Sequence, residues 1–143
     1  MEIIEARAFN PELLAAVNAL LPQLSDAARP IGEAEMAAVL CTQGTILFVA
    51  VEAEKYFGML TLVTFAALTG KRARIEDLVV DAQARGKGVG RRLVAHAIQA
   101  AERSGARGVD LTSNPSRLAA NRLYQAMGFE LQSTNVYRWT QRQ

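Results

Sequence analysis

The sequence is poor in the features that would commit it to several common classes of protein. Of its 143 residues only Cys41 is a cysteine, which excludes an intramolecular disulfide framework and any cysteine-rich zinc site. A reducing cytoplasm fits that usage best. Aromatic residues make up only 6% of the chain, and 16 basic residues against 14 acidic ones leave a formal net charge of +2. So small an excess does not by itself mark a nucleic-acid binder, although a local basic cluster can still meet a phosphorylated ligand. No apolar run approaches the roughly 20 residues needed to cross a bilayer. The start, Met1 to Arg7, carries Glu2 and Glu5 and lacks the basic-then-apolar layout of a secretory signal. The expectation is a soluble, unexported, cytoplasmic protein with no membrane partner.

What is present points to a globular fold. Hydrophobic residues reach 50% and charged residues 21%, and a chain of this length buries most of its apolar surface in one core, so a single domain over residues 1–143 is expected. Ile3, Ile4 and Ala6 to Phe9 read as a strand. Asn10-Pro11 is a cap and first-turn pair opening a helix with the apolar stripe Leu13, Leu14, Val17, Leu20 and Leu21. A second helix is predicted from about Ile31 to Leu40. The β-branched, apolar segments Thr45 to Val51 and Tyr56 to Phe65 predict an antiparallel hairpin around the polar turn Glu52 to Lys55.

After the turn Gly70-Lys71-Arg72, a strand from Ala73 to Val80 and a helix from Val89 to Arg103 follow. Gly108 to Thr112 reads as a short buried strand, Asn114-Pro115 as the opening of a helix with Ala119, Ala120, Leu123 and Met127 on its apolar side, and Gly128 as its C-terminal cap. The tail, Phe129 to Trp139, contains two short strand-like pieces. No repeat or low-complexity segment appears. The order predicts an α/β or α+β sandwich built on a mixed sheet.

The most informative stretch is Val80-Asp81-Ala82-Gln83-Ala84-Arg85-Gly86-Lys87-Gly88-Val89-Gly90-Arg91-Arg92, which leaves a strand and enters a helix. Three alternating glycines remove the β-carbons that would hold a ligand away from the backbone, and the first helical turn leaves its N–H groups unpaired. Those donors, with the positive end of the helix dipole, suit a phosphate. A P-loop is excluded because Gly88, not Ser or Thr, follows Lys87. A dinucleotide fingerprint is excluded because Arg91 stands where its last glycine belongs, and too little chain follows Asp110 to complete that sheet. The competing account is a glycine-rich surface turn with solvated basic residues.

Arg85-Gly86-Lys87-Gly88-Val89-Gly90 resembles the Arg/Gln-x-x-Gly-x-Gly/Ala acetyl-CoA signature of the GCN5-related N-acetyltransferase (GNAT) superfamily. From Ile75 to Phe129 the chain follows that family's ordering, including Asn121, Leu123-Tyr124 and Gly128-Phe129. Thr45 to Gly70 matches its central hairpin more loosely, and the first 40 residues match only in element order. The resemblance implies a mostly antiparallel central sheet with helices on both faces and direct transfer of an acetyl group from acetyl-CoA to an amine in a ternary complex, without a metal. It also implies that Leu78, Val79 and Val80 offer backbone amides to the thioester and pantetheine arm, and that Arg85 to Arg91 hold the pyrophosphate.

Such chemistry needs a neutral amine, a stabilised oxyanion and a thiolate able to leave. Along the strand, Ile75 and Val79 share one parity while Leu78 and Val80 have the other; either both faces are covered or a bulge shifts the phase. Glu76 is the candidate base for an acceptor ammonium, directly or through water; alternatively Glu76 and Asp77 are solvated or pair with Arg72 and Arg74. By resemblance Tyr124 hydrogen-bonds or protonates the departing sulfur and Asn121 contacts the pantetheine or pyrophosphate region, the alternative for Tyr124 being a packing aromatic. Asn114 is a further candidate cofactor contact, with helix capping the simpler role. His96 reads as a partly exposed structural residue, and Cys41 lies outside every element of the site, which argues against an acetyl-cysteine intermediate. Tyr137 and Trp139 alternate in the tail and suit an acceptor pocket, an aromatic core or a homodimer contact. The acceptor is expected to be a small-molecule or peptide amine. The rival reading is a non-catalytic acyl-CoA sensor; a basic module for RNA or DNA is weaker, because no aromatic interleaves with the Arg85 to Arg92 cluster.

Overall fold

A computed structural model describes residues 1–142. These fall into two compact units, Met1–Leu111 and a second beginning at Thr112. The first unit is built on a five-stranded sheet in the order β1-β2-β3-β4-β5, with β1 Glu2–Ala6, β2 Thr45–Glu52, β3 Lys55–Ala67, β4 Gly70–Val80 and β5 Val109–Asp110. The first four strands pair antiparallel and β5 pairs parallel to β4. The helices are α1 Pro11–Leu24, α2 Glu33–Cys41 and α3 Val89–Arg103.

Strand alternation sorts the core into two layers, because successive side chains leave a strand on opposite faces. Leu47, Val49, Met59 and Val79 cluster with Leu13, Val17 and Leu20 of α1 and Met36 of α2. The opposite face meets α3: Phe48 touches His96 edge-on at 6.3 Å between ring centroids. Helices therefore cover both faces, as expected, and the parallel β4–β5 pair is joined through α3, the crossover that parallel strands require.

Local chemistry explains the boundaries. Asn10 caps α1, its side-chain oxygen accepting from the Leu13 amide at 2.7 Å, with Pro11 in the first turn. The Glu35 carboxylate accepts from the Gly32 amide at 2.8 Å and so closes the start of α2. Asn18 clamps the α1–α2 connection by bonding both the carbonyl (2.9 Å) and the amide (2.8 Å) of Ile31. The β2–β3 hairpin turns on Ala53 and Glu54, both left-handed with φ 49° and 64°, the conformation a two-residue turn of primed type demands.

Three sequence expectations are corrected. The first strand ends at Ala6 rather than Phe9. The segment from Gly108 to Thr112 contributes only Val109–Asp110 to the sheet, and Asp110 is exposed. The tail from Phe129 to Trp139 forms no strand among the described residues; Leu131, Val136, Tyr137 and Trp139 are all exposed. Strand propensity reflects packing against a neighbouring strand, and no strand pairs with this segment.

Among the described residues the second unit contains one helix, α4 Leu118–Ala126. Its buried residue is Tyr124, while Leu123 and Met127 are only partly covered.

Candidate functional site

The strand-to-helix turn takes the form its glycines allow. Asp81 accepts from the Gln83 amide at 2.8 Å and opens a single 3₁₀ turn, Ala82–Ala84. Gln23 at the end of α1 reaches over to it, accepting from the Ala82 amide at 2.9 Å and donating to the Asp81 carboxylate at 3.2 Å. The Gln83 amide first, and Gln23 second, hold the Asp81 carboxyl below the usual carboxylate range. Gly86 and Gly88 both adopt φ +78°, and a β-carbon at either would meet nothing within 4 Å. The turn therefore faces open space, and its left-handed backbone is one that residues with side chains avoid.

Gly88 is the N-terminal cap of α3 and its carbonyl accepts from the Arg92 amide at 3.1 Å. The amides of Val89, Gly90 and Arg91 thus precede the first intrahelical bond, at the positive end of a 15-residue helix. Lys87 and Arg91 are exposed beside them. The other basic residues are engaged: Arg85 donates to the Val80 carbonyl at 3.2 Å and Arg92 to the Met1 carbonyl at 2.7 Å. Among the described residues nothing lies within 4 Å of a β-carbon placed at Gly86 or Gly88, so the backbone there is an open cradle that suits an anion.

A residue that sequence reasoning missed sets the height of this cradle. Gly58 of β3 pairs with Val80, and a β-carbon there would lie 3.1 Å from Leu93 Cδ1, 3.1 Å from the Val79 carbonyl and 3.3 Å from Val89 Cγ1. The absence of a side chain lets the first turn of α3 settle directly on the sheet. The apolar run around Gly58 gave no sign of this, because the close approach belongs to a helix about 30 residues further along the chain.

The strand before the turn is irregular in the way its parity allowed. Thr61 pairs with Glu76 and Met59 with Val79, so Asp77 and Leu78 together oppose Leu60. This is a β-bulge, with Asp77 at φ +52°. The extra residue resets the alternation, which is why Ile75, Leu78 and Val79 can all be buried. On its other side β4 pairs with β5 only at Ala73 and Arg74. The edge from Ile75 to Val80 has no strand partner among the described residues, and the Leu78, Val79 and Val80 positions lie along it.

The two acidic residues of this stretch are placed differently. Glu76 forms an ion pair with Arg74. Asp77 makes no hydrogen bond or ion pair among the described residues and lines the solvent-facing side of a cavity of about 160 Å³, with Val17, Leu21, Met36, Met59 and Thr61. Partial burial first, and the neighbouring Glu76 second, push its carboxyl above the usual range.

In the second unit, Asn114 does not cap α4: the cap position is Arg117. Asn114 instead forms a turn, its side chain accepting from the Ser116 amide at 2.9 Å and hydroxyl at 2.8 Å. Asn121 donates to the carbonyls of Asn114 (3.0 Å) and Arg117 (2.8 Å), which brings these two candidates together. Tyr124 packs edge-on against Phe129 at 5.9 Å. Its phenol is pushed up by burial, opposed by Arg117, and so stays protonated at neutral pH. Tyr137 and Trp139 are exposed, Cys41 is exposed, and His96 bonds the Arg92 carbonyl at 2.9 Å from a half-buried position. Among the described residues no group of three or more metal-ligating side chains occurs, and no helix is long and apolar enough to cross a membrane.

A mixed sheet with a bulge in β4, followed by a glycine turn and a helix N-terminus with unpaired amides, defines an α/β protein whose turn suits an anionic ligand. Comparison with known proteins names the class: the Acetyltransferase (GNAT) family matches residues 15–129, and the chain belongs to that family. No curated protein sequence matches the chain. Among solved structures, a putative acetyltransferase from Agrobacterium tumefaciens is 28% identical, with a TM-score of 0.86 over 99% of this chain and 100% of that one. An aminoglycoside N-acetyltransferase in complex with CoA (18% identical, TM-score 0.81, 97% and 93% covered) and glucosamine-6-phosphate N-acetyltransferase from Arabidopsis thaliana (18% identical, TM-score 0.80, 99% and 100% covered) share the fold.

Proposed function

We propose that the protein is an N-acetyltransferase that moves the acetyl group of acetyl-CoA directly to a primary amine of a small molecule or peptide within a ternary complex. The observation that carries this reading is the open turn at Gly86 and Gly88, followed by the unpaired amides of Val89, Gly90 and Arg91. Acetyl-CoA supplies an acyl group activated as a thioester. The α3 amides, with Lys87, Arg91 and the terminal guanidinium nitrogens of Arg85 that do not bond Val80, hold its diphosphate, and the unpartnered β4 edge at Leu78, Val79 and Val80 receives the thioester carbonyl and the pantetheine arm.

In the overall reaction a carbon–nitrogen bond forms as a carbon–sulfur bond breaks, and the acceptor ammonium gives up two protons, one to the sulfur and one to solvent. Glu76 is assigned to collecting an acceptor proton, although its ion pair with Arg74 must loosen first. Tyr124, protonated at neutral pH, is assigned to the departing sulfur, and Asn114 and Asn121 to cofactor contacts. An unperturbed amine has a pKa of about 10, so lowering it or accepting its proton is the chain's main task.

Incubation with acetyl-CoA and pools of primary amines, following free thiol, tests the reading. Amine-dependent release is expected, and Tyr124→Phe should slow it about tenfold or more while leaving CoA affinity intact. Tight binding of acetyl-CoA with no release across amine classes would instead identify a non-catalytic acyl-CoA sensor. An unchanged rate in Tyr124→Phe would remove that residue from the chemistry.

A further inference from the structure

We infer that the cavity beneath α1 and α2 is the acceptor site and that it selects a primary amine carried on one compact apolar group, anchored through its ammonium by Asp77. The inference rests on the acetyltransferase reading and narrows it to a substrate class.

Three observations on the cavity carry the argument. Of its lining residues only Glu35, Thr61 and Asp77 have polar side chains, the rest being aliphatic or Met. Its volume of about 160 Å³ matches the size of apolar cavity, roughly 150 Å³, that takes a benzene-sized group. Its carboxylates are also unequal. Glu35 is occupied by the Gly32 amide at 2.8 Å, whereas Asp77 has no partner among the described residues.

The β3–β4 pairing holds Asp77 there in a left-handed backbone conformation. A non-glycine residue at φ +52° is uncommon, and such conformations concentrate at functional sites. The bulge adds Asp77 to the alternation and sets it at the cavity mouth, immediately before Leu78, Val79 and Val80. A cation seated on Asp77 would compensate the charge that burial and Glu76 disfavour. One ammonium satisfies one carboxylate. A second positive charge further in would lie against Val17, Leu21 and Met36 and would have only Glu35, whose Oε2 already accepts from the Gly32 amide, to meet it. The small, mostly aliphatic cavity therefore favours a monoamine with an apolar body over polyamines and aminoglycosides.

Loop geometry supports a defined pocket. Ile31 forms part of the wall, and both its backbone groups are tied to Asn18 of α1, so the connection between the helices cannot drift into the space.

The test compares phenethylamine and isopentylamine with spermidine and kanamycin as acceptors at saturating acetyl-CoA. It is repeated with Asp77→Asn, and with Val39→Phe, which fills the cavity from α2. The expected result is a kcat/KM at least about tenfold higher for the two apolar monoamines. Asp77→Asn should raise their KM by about tenfold or more, and Val39→Phe should raise it severalfold, both with CoA affinity unchanged. A preference for spermidine or kanamycin, or an unaltered KM in Asp77→Asn, overturns the inference and leaves acetyl transfer standing. If no amine is turned over, calorimetry separates the two claims. Phenethylamine binding that Asp77→Asn abolishes supports an amine pocket anchored by Asp77 while refuting acetyl transfer to these amines; no phenethylamine binding overturns the pocket itself.

Discussion

Replacing Gly88 by Ala perturbs the anion cradle while adding a single methyl. Gly88 sits at φ +78°, and a β-carbon there would find nothing within 4 Å, so the substitution brings no steric clash, only the left-handed backbone penalty of about 1–2 kcal/mol. For a chain of this size that corresponds to a fall in Tm of about 3–6 °C. The effect on cofactor affinity is separate. A methyl on the open side of the turn obstructs the approach of a diphosphate to the Val89 and Gly90 amides, and losing one charge-assisted hydrogen bond of about 1.5–3 kcal/mol weakens binding roughly ten- to hundredfold. Gly105→Ala is the matched control. Gly105 also has a positive φ, +91°, and open surroundings, but lies beyond the C-terminus of α3. Thermal unfolding should report similar losses for both variants, and calorimetric titration with CoA should report weakening only for Gly88→Ala. Equal CoA affinity in the two variants would refute the claim that this turn holds the cofactor.

Other outcomes follow from the same geometry. Gly58→Val should lower stability by about 1–3 kcal/mol through overpacking and weaken CoA binding, because Val89 and Leu93 must move away from β3; urea unfolding and CoA titration check both. Asp77→Asn should raise Tm at pH 7. The folded-state pKa of Asp77 is raised above its ordinary 3.8 by burial and Glu76, so its ionisation costs stability as pH rises from that value through the folded pKa, and the advantage of the variant should vanish in acid below it. Asn18→Ala removes both hydrogen bonds to Ile31 and should cost about 1–3 kcal/mol, raising acceptor KM more than the KM for acetyl-CoA in steady-state assays.

Much of the molecule is legible in its sequence because the signals are local. Asn10-Pro11 opens α1 where a side-chain cap and a fixed φ can be read from two adjacent letters, and the glycines at 86 and 88 announce backbone conformations that other residues avoid. The conflict of parity between Ile75, Leu78 and Val79 announces a bulge as one of two solutions, and β4 contains it. Asn114-Pro115 is ambiguous, since an Asn-Pro pair suits a turn and a cap equally; the pair makes a turn, and α4 starts later, after Arg117. The strand character of residues 129–139 lacks the one ingredient composition does not carry, a neighbouring strand to pair with.

By itself the sequence determined the order of elements from β1 to α4, the membership of the Acetyltransferase (GNAT) family and the position of the glycine turn, since each depends on spacing along the chain. Only the tertiary structure decided that Gly58 brings α3 onto the sheet and that, of two adjacent carboxylates, Glu76 meets Arg74 while Asp77 lines the cavity. The physical reason is that a side chain's direction in a bulged strand follows from pairing with β3, a contact between residues distant in sequence, and a change of one residue in that pairing turns the following side chains to the other face.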